Sequence, residues 1–195
     1  MIEYIKGKIA ELTPAAAVLE TTAGVAYRLT ISLPTYEAVN GSQQAQLYVH
    51  EVIREDAWVL YGFATTRERE LFRALIGVSG VGAATACIIL SALAGDRLAT
   101  VVAGNDVRTL KSIKGIGAKT AERIIVDLRD KLAPGTGTTS AAVAGAGAAA
   151  DEALAALTML GFDRKASEKA VAAIFAQNPQ ATVEQAVKAA LSMIR

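Results

Sequence analysis

Apolar and polar residues alternate with a period of two over residues 1–64, in runs such as Tyr4-Ile5-Lys6-Gly7-Lys8-Ile9, Val25-Ala26-Tyr27-Arg28-Leu29-Thr30-Ile31 and Trp58-Val59-Leu60-Tyr61-Gly62-Phe63. Side chains that point in turn to core and solvent belong to half-buried strands, and about five such strands fit here. Turn signals at Thr22-Ala23-Gly24, Asn40-Gly41 and Arg54-Glu55-Asp56-Ala57 space them as a small sandwich or a five-stranded barrel requires. Residues 34–39 read as a short helical connector. From residue 65 the period becomes helical, with short glycine-bearing turns, as far as residue 132. Residues 134–150 carry no charge and are mostly Gly, Ala, Ser and Thr; they cannot bury enough apolar surface to order themselves, which predicts a flexible tether. Residues 151–195 read as three short helices, roughly 151–160, 164–176 and 182–194, divided at Gly161-Phe162 and Asn178-Pro179. Thr182 and Gln185 are spaced as a capping box for the last. The expected fold is α+β and multi-domain, with a β domain at 1–64, a helical domain at 65–133, a linker at 134–150 and a three-helix domain at 151–195.

Composition sharpens this picture. Apolar residues make up 52% of the 195, but 40 of them are alanine, so large core-building side chains are sparse and the domains must be small. The last 45 residues lie near the lower limit for autonomous folding and should expose apolar surface for a partner. Lys+Arg 20 against Asp+Glu 19 excludes a chain that is basic throughout. Divided by domain, however, the net charges are −3 for residues 1–64, +4 for 65–133 and 0 for 151–195. A near-neutral chain therefore carries a basic middle.

One cysteine, Cys87, excludes an internal disulfide, and the N-terminus lacks a charged-then-apolar leader, so a cytoplasmic protein is expected. With one Cys and one His, His50, a structural zinc site lacks ligands and a nucleophilic triad has a single candidate base. No metal, cofactor or catalytic residue is expected. Residues 74–95 run uncharged for 22 positions, a membrane-spanning length, yet Gly77, Ser79, Gly80 and Gly82 break the run, which argues against a membrane.

The middle domain repeats itself at an offset of 35 residues: Leu75-Ile76-Gly77-Val78-Ser79-Gly80-Val81-Gly82-Ala83-Ala84-Thr85-Ala86 aligns with Leu110-Lys111-Ser112-Ile113-Lys114-Gly115-Ile116-Gly117-Ala118-Lys119-Thr120-Ala121. Each copy reads as a helix, a tight turn with two glycines, and a second helix opening at the turn. Such an opening aims unpaired N–H groups and the positive end of a helix dipole outward, as anion binding requires. A single Gly-x-Gly is ordinarily a turn between packed helices; duplication and charge change the reading. The second copy has Lys111, Lys114, Lys119 and Arg123 where the first has Ile76, Ser79, Ala84 and Ile88. Amides and lysines read phosphates rather than bases, so binding should be independent of sequence and sensitive to salt. A Walker loop is excluded because Ala118 separates Gly117 from Lys119, and a dinucleotide fingerprint because Thr85 or Thr120 stands where its third small residue is needed.

Together these features resemble the RuvA family of Holliday-junction branch-migration proteins. The resemblance lies in the opening Met1-Ile2-Glu3-Tyr4-Ile5-Lys6-Gly7, the Glu55-Asp56 turn followed by Leu60-Tyr61-Gly62-Phe63, residues 110–129, the variable tether and residues 157–162. It covers nearly the whole chain. It implies an oligonucleotide-binding (OB-fold) β-barrel, a tandem helix-hairpin-helix domain and a mobile, UBA-like three-helix C-terminal domain. It further implies a homotetramer, or an octamer of two facing tetramers, that holds a four-way junction open and square. The amides that would hold the duplex arms fall on Gly80, Val81, Gly82 and Ala83 and on Gly115, Ile116, Gly117, Ala118 and Lys119. Charge and placement add Lys111, Lys114, Thr120 and Arg123. An acidic pin falls on Glu55 and Asp56, two carboxylates that bottom-up reading alone would assign to ordinary turn chemistry. The C-terminal domain would dock on the hexameric ATPase RuvB through Leu157, Leu160, Phe162, Val187 and Leu191, some of which must also serve as its own core. A junction resolvase is a further partner of such a complex.

The function expected is a DNA-binding subunit, no enzyme by itself, that recognises four-way junctions and recruits the ATPase for branch migration in recombination and repair. A DNA-binding scaffold indifferent to junctions and to sequence is the alternative. An enzyme such as a repair glycosylase or nuclease is disfavoured, because the acidic residues are scattered as helix pairs such as Glu68 and Glu70 rather than gathered as a carboxylate cluster.

Overall fold

Five strands form and close on themselves. In the computed structural model, which describes residues 1–132 and 146–194, they are β1 (Tyr4–Thr13), β2 (Ala16–Glu20), β3 (Ala26–Ile31), β4 (Gln44–Ile53) and β5 (Trp58–Phe63), joined as a closed barrel in the order β1-β2-β3-β5-β4. Among the described residues only β3 and β5 pair in parallel, with Leu29 opposite Leu60. The alternation seen in the sequence puts Ile5, Leu19, Leu29, Ile31, Leu47, Val49 and Leu60 inside. Each fully buried Leu of this set contributes about 1.5–3 kcal/mol over leaving it in water. The expected connector is α1 (Leu33–Val39), with Pro34 in its first turn and Ser32 as N-cap accepting from the Thr35 N–H.

Helices α2 (Thr66–Ile76), α3 (Ala83–Ala92), α4 (Gly95–Ala103), α5 (Val107–Lys111) and α6 (Ala118–Leu132) follow. Their core is continuous with the end of the barrel: Tyr61 and Phe63 of β5 pack on Phe72 of α2, each pair of rings 4.9 Å apart between centroids. Two polar clasps reinforce the junction. Glu68 accepts from the hydroxyls of Ser32 and Thr35, the latter at 2.7 Å, and the buried Arg69 donates to the Glu3 carboxylate at 2.6 Å and to the Glu3 carbonyl at 3.0 Å. The change of period at residue 65 thus marks a change of element type within one packed unit, Met1–Thr138.

The second unit, Thr139–Arg195, holds α7 (Ala146–Met159), α8 (Arg164–Gln177) and α9 (Val183–Met193). Its core consists of Ala153, Leu157, Ala170, Val171, Ala186 and Ala190, so small side chains let the helices approach closely. The Thr182–Gln185 capping box is present in both directions, at 3.3 and 3.1 Å. Most of the expected tether, residues 134–145, lies outside the described residues; its last five residues, 146–150, are instead the first turn and more of α7.

Among the described residues no single helix is long and apolar enough to cross a membrane. The uncharged stretch 74–95 is divided between α2, a turn and α3. Helices α3 and α4, together apolar over a membrane-spanning length, are bent by 94° from one another and carry Ala86, Ile89, Leu90, Leu98 and Val102 into the core.

Candidate nucleic-acid interface

The two glycine hairpins fold alike, atom by atom. In the first, Val78 N–H donates to Leu75 O (3.0 Å), Val81 N–H to Val78 O (3.0 Å) and Ala86 N–H to Gly82 O (2.9 Å); in the second, Ile113 donates to Leu110 (3.1 Å), Ile116 to Ile113 (3.1 Å) and Ala121 to Gly117 (2.9 Å). Gly80 and Gly115 sit at φ +91° and +90°, a backbone region that a Cβ makes costly. Val78 and Val81, like Ile113 and Ile116, are buried and fix each turn to the core beneath it.

This geometry sorts the expected contact residues. The N–H groups of Val81 and Ile116 are committed within their own turns, and their side chains are buried anchors beneath them. The helix ladders begin only with Ala86 and Ala121. That leaves the N–H groups of Ala83, Ala84 and Thr85, and of Ala118, Lys119 and Thr120, without partners in the ladder. Helices α1, α2, α5, α8 and α9 each have a side-chain N-cap, whereas α3 opens on Gly82 and α4 on Ala94 with none, and the position before α6 is, as before α3, a glycine, Gly117. Anion-binding donors are therefore exposed at both turns. Around the second, Lys111, Lys114 and Lys119 are exposed and form no ion pair among the described residues. Arg123 is also exposed, and its guanidinium donates to Ser79 Oγ at 3.3 Å.

That last bond exposes a feature that sequence reasoning did not supply: the two turns stand side by side. A Cβ built on Gly80 would lie 3.7 Å from Thr120 Oγ1. The repeat itself held the only signal, since Ser79 occupies the position of Lys114.

The acidic turn is a four-residue β4–β5 connection closed by Arg54 N–H donating to Ala57 O at 2.8 Å, with Glu55 and Asp56 exposed at its tip. Asp56, Arg54 and Ala57 line a cleft with Val52, Val59 and Tyr61 on one side and Ala83 and Ala84 at the start of α3 on the other. The acidic tip and the first hairpin are neighbours.

Neither candidate for nucleophilic chemistry is set up for it. Burial pushes the Cys87 thiol up to about 11, so it is an uncharged filler at neutral pH. His50 packs against Phe72 at 5.3 Å, and that burial, helped by Arg73 and Arg69, lowers its pKa. Among the described residues no three His, Cys, Asp or Glu side chains gather as a metal site.

In the second unit the five residues expected to face a partner separate. Leu157 is fully buried and must be counted as core, because it fills the centre of a three-helix packing whose other buried members are alanines and Val171. Phe162 and Val187 are partly buried against that core, while Leu160 and Leu191 are exposed. Met159 and Met193, which the sequence reading passed over, are exposed beside them in sequence.

Comparison with known proteins covers the whole chain. Residues 1–62 match the family model described as the RuvA N terminal domain, 72–130 a SAM-like helix-hairpin-helix tandem, and 148–194 the RuvA C-terminal domain. A protein of Bacteroides fragilis (strain YCH46) named Holliday junction branch migration complex subunit RuvA is 50% identical over 202 residues, with 100% of each chain covered. Proteins of the same name from Bacteroides thetaiotaomicron and Porphyromonas gingivalis are 48% and 44% identical, again with 100% of each chain covered.

Proposed function

The chain belongs to the RuvA family, and from that premise we propose that it is the DNA-binding subunit of a Holliday-junction branch-migration complex, itself without catalytic activity, working with a separate RuvB-type ATPase. The observation that carries this reading is the pair of matching hairpins standing side by side, each presenting ladder-free amides, with Arg123 joining them. Amide cradles fixed in one rigid unit hold two stretches of phosphate backbone at a set distance and ignore base identity. Lysines 111, 114 and 119 strengthen the second grip.

The acidic turn fits the same reading. Glu55 and Asp56 belong to the unit that carries the hairpins, so a junction held by the hairpins meets carboxylates in a fixed place. Like charges repel the crossover phosphates there and favour separated strands. A homotetramer would bring such tips together around one axis, and an octamer would enclose the junction from both faces. In the C-terminal unit, the exposed Leu160 and Leu191, with Met159 and Met193, are the surface for the ATPase. A junction resolvase could act on the face of the DNA that a single tetramer leaves open.

Branch migration of a synthetic four-way junction by a RuvB-type ATPase tests the whole reading. The full chain should stimulate it. A chain ending at residue 150 should bind junctions as well as the full chain yet give no stimulation, and Glu55→Ala with Asp56→Ala should keep junction affinity and change the migration rate. Stimulation that survives the truncation would put the motor contact elsewhere, and cleavage of the DNA by the chain alone would make it an enzyme.

A further inference from the structure

The acidic turn rests on an apolar step that neither core absorbs. Ile53 and Trp58 are the last cross-strand pair of the β4–β5 hairpin, immediately below Arg54-Glu55-Asp56-Ala57, and cross-strand partners share one face. Two residues further along β5 on that same face, Leu60 is buried in the barrel core. On the opposite face the next pair, Val52 and Val59, packs against the core of the helical domain. The hairpin outruns both cores, and its final pair is left in solvent, Ile53 70% and Trp58 63% exposed.

We propose that Ile53 and Trp58 form a stacking platform for a base at the crossover of the junction. The inference rests on the junction reading above. A Trp side chain covers at most about 250 Å², so this step alone falls well short of the roughly 1,000 Å² that a specific protein–protein contact needs. It does match the face of a single base. Two residues beyond each strand stand the carboxylates Glu55 and Asp56, which outnumber the single cation of the turn, Arg54, and disfavour phosphates at this tip, so the part of DNA best suited to approach the step is the uncharged base. Inside a duplex arm every base face is already stacked, whereas at a branch point the helices end and base faces lie open. The platform therefore replaces a stacking contact that a branch point has lost and the interior of a duplex keeps. It does so without regard to sequence, because every base has a π face, in keeping with hairpins that read phosphates.

Trp58 is the chain's one tryptophan, so its emission reports on this step alone. The full-length protein is titrated with a four-way junction and with linear duplex of the same sequence, while dye anisotropy on the DNA follows occupancy separately. Stacking predicts that saturating junction quenches about half of the emission or more and that saturating duplex changes it by about a tenth at most. Trp58→Ala should weaken junction binding about ten-fold with duplex binding unchanged, and Trp58→Phe by no more than about three-fold. Preferential binding of the junction with emission unmoved, or moved equally by both DNAs, overturns the stacking and leaves the junction reading intact. Equal affinity for junction and duplex removes that reading and the platform with it. Emission that shifts with protein concentration before DNA is added identifies a second copy as the occupant and overturns the proposal.

Discussion

The first and second hairpins share a backbone and differ in what surrounds it. Corresponding hydrogen bonds agree to 0.1 Å, and the left-handed glycines differ by one degree in φ. Around the first turn stand Ser79, Ala84 and Ile88, with Ala83 nearly buried beside the acidic turn; around the second stand Lys114, Lys119 and Arg123, with Ala118 exposed. Shape has been kept and charge has not. In the proposed interface, glycines and buried anchors fix where a phosphate can sit, while side chains set how strongly it is held and how much salt weakens it. Placing the neutral copy next to the carboxylates agrees with the role proposed for them, since lysines there would pair with Glu55 and Asp56 and weaken their field.

Equality of the buried halves is the part of this comparison with the largest consequences. Ile89 and Ile124 correspond in the repeat and are both fully buried. Ile89→Ala and Ile124→Ala should each lower unfolding free energy by about 2–5 kcal/mol in urea denaturation; a tolerant site at either position would mean that the two supports are not equivalent. Next come the turns. Gly80→Ala and Gly115→Ala each force a Cβ into the positive-φ region at a cost of about 1–3 kcal/mol, and equal losses are expected because the space around both glycines is otherwise adequate. An unequal pair of melting shifts would break the geometric identity.

The smallest effect isolates the difference itself. Lys119→Ala should reduce the slope of log affinity against log salt by about one, uniformly across DNA sequences. Ala84→Lys, the corresponding exchange in the first hairpin, should raise it by less than about one, because Asp56 lines the same cleft as Ala84 and withholds part of the new charge from phosphate. Binding titrations over a range of salt concentrations check both. A slope raised by Ala84→Lys as far as Lys119→Ala lowers it would mean that the carboxylates of the acidic turn do not act on the first hairpin.

Much of this was legible in the sequence because it depends on local rules. Period-two alternation gave the strands, the repeat at 35 residues gave the hairpins, and the Thr182 capping box gave the last helix boundary. What escaped depends on three-dimensional neighbours. The commitment of the Val81 and Ile116 amides follows from turn geometry, and the burial of Leu157 follows from a core so rich in alanine that its one leucine has to fill the centre. No periodicity announces that Arg123 meets Ser79, because the bond spans 44 residues. Nor does the alternation of β5 distinguish Trp58 from Leu60. Both lie on the core face, and only the point where the barrel ends separates the exposed residue from the buried one.

The central claim is that one rigid unit reads the architecture of DNA rather than its sequence. Competition between an unlabelled four-way junction and linear duplex of the same sequence for the full chain, at about 0.15 M salt where nonspecific binding is weakened, tests it most directly. Junction should displace a labelled junction at far lower concentration than duplex does, whatever the sequence of the arms. Equal displacement by the two would contradict it, reducing the paired hairpins to a general phosphate grip and leaving the acidic turn without a task.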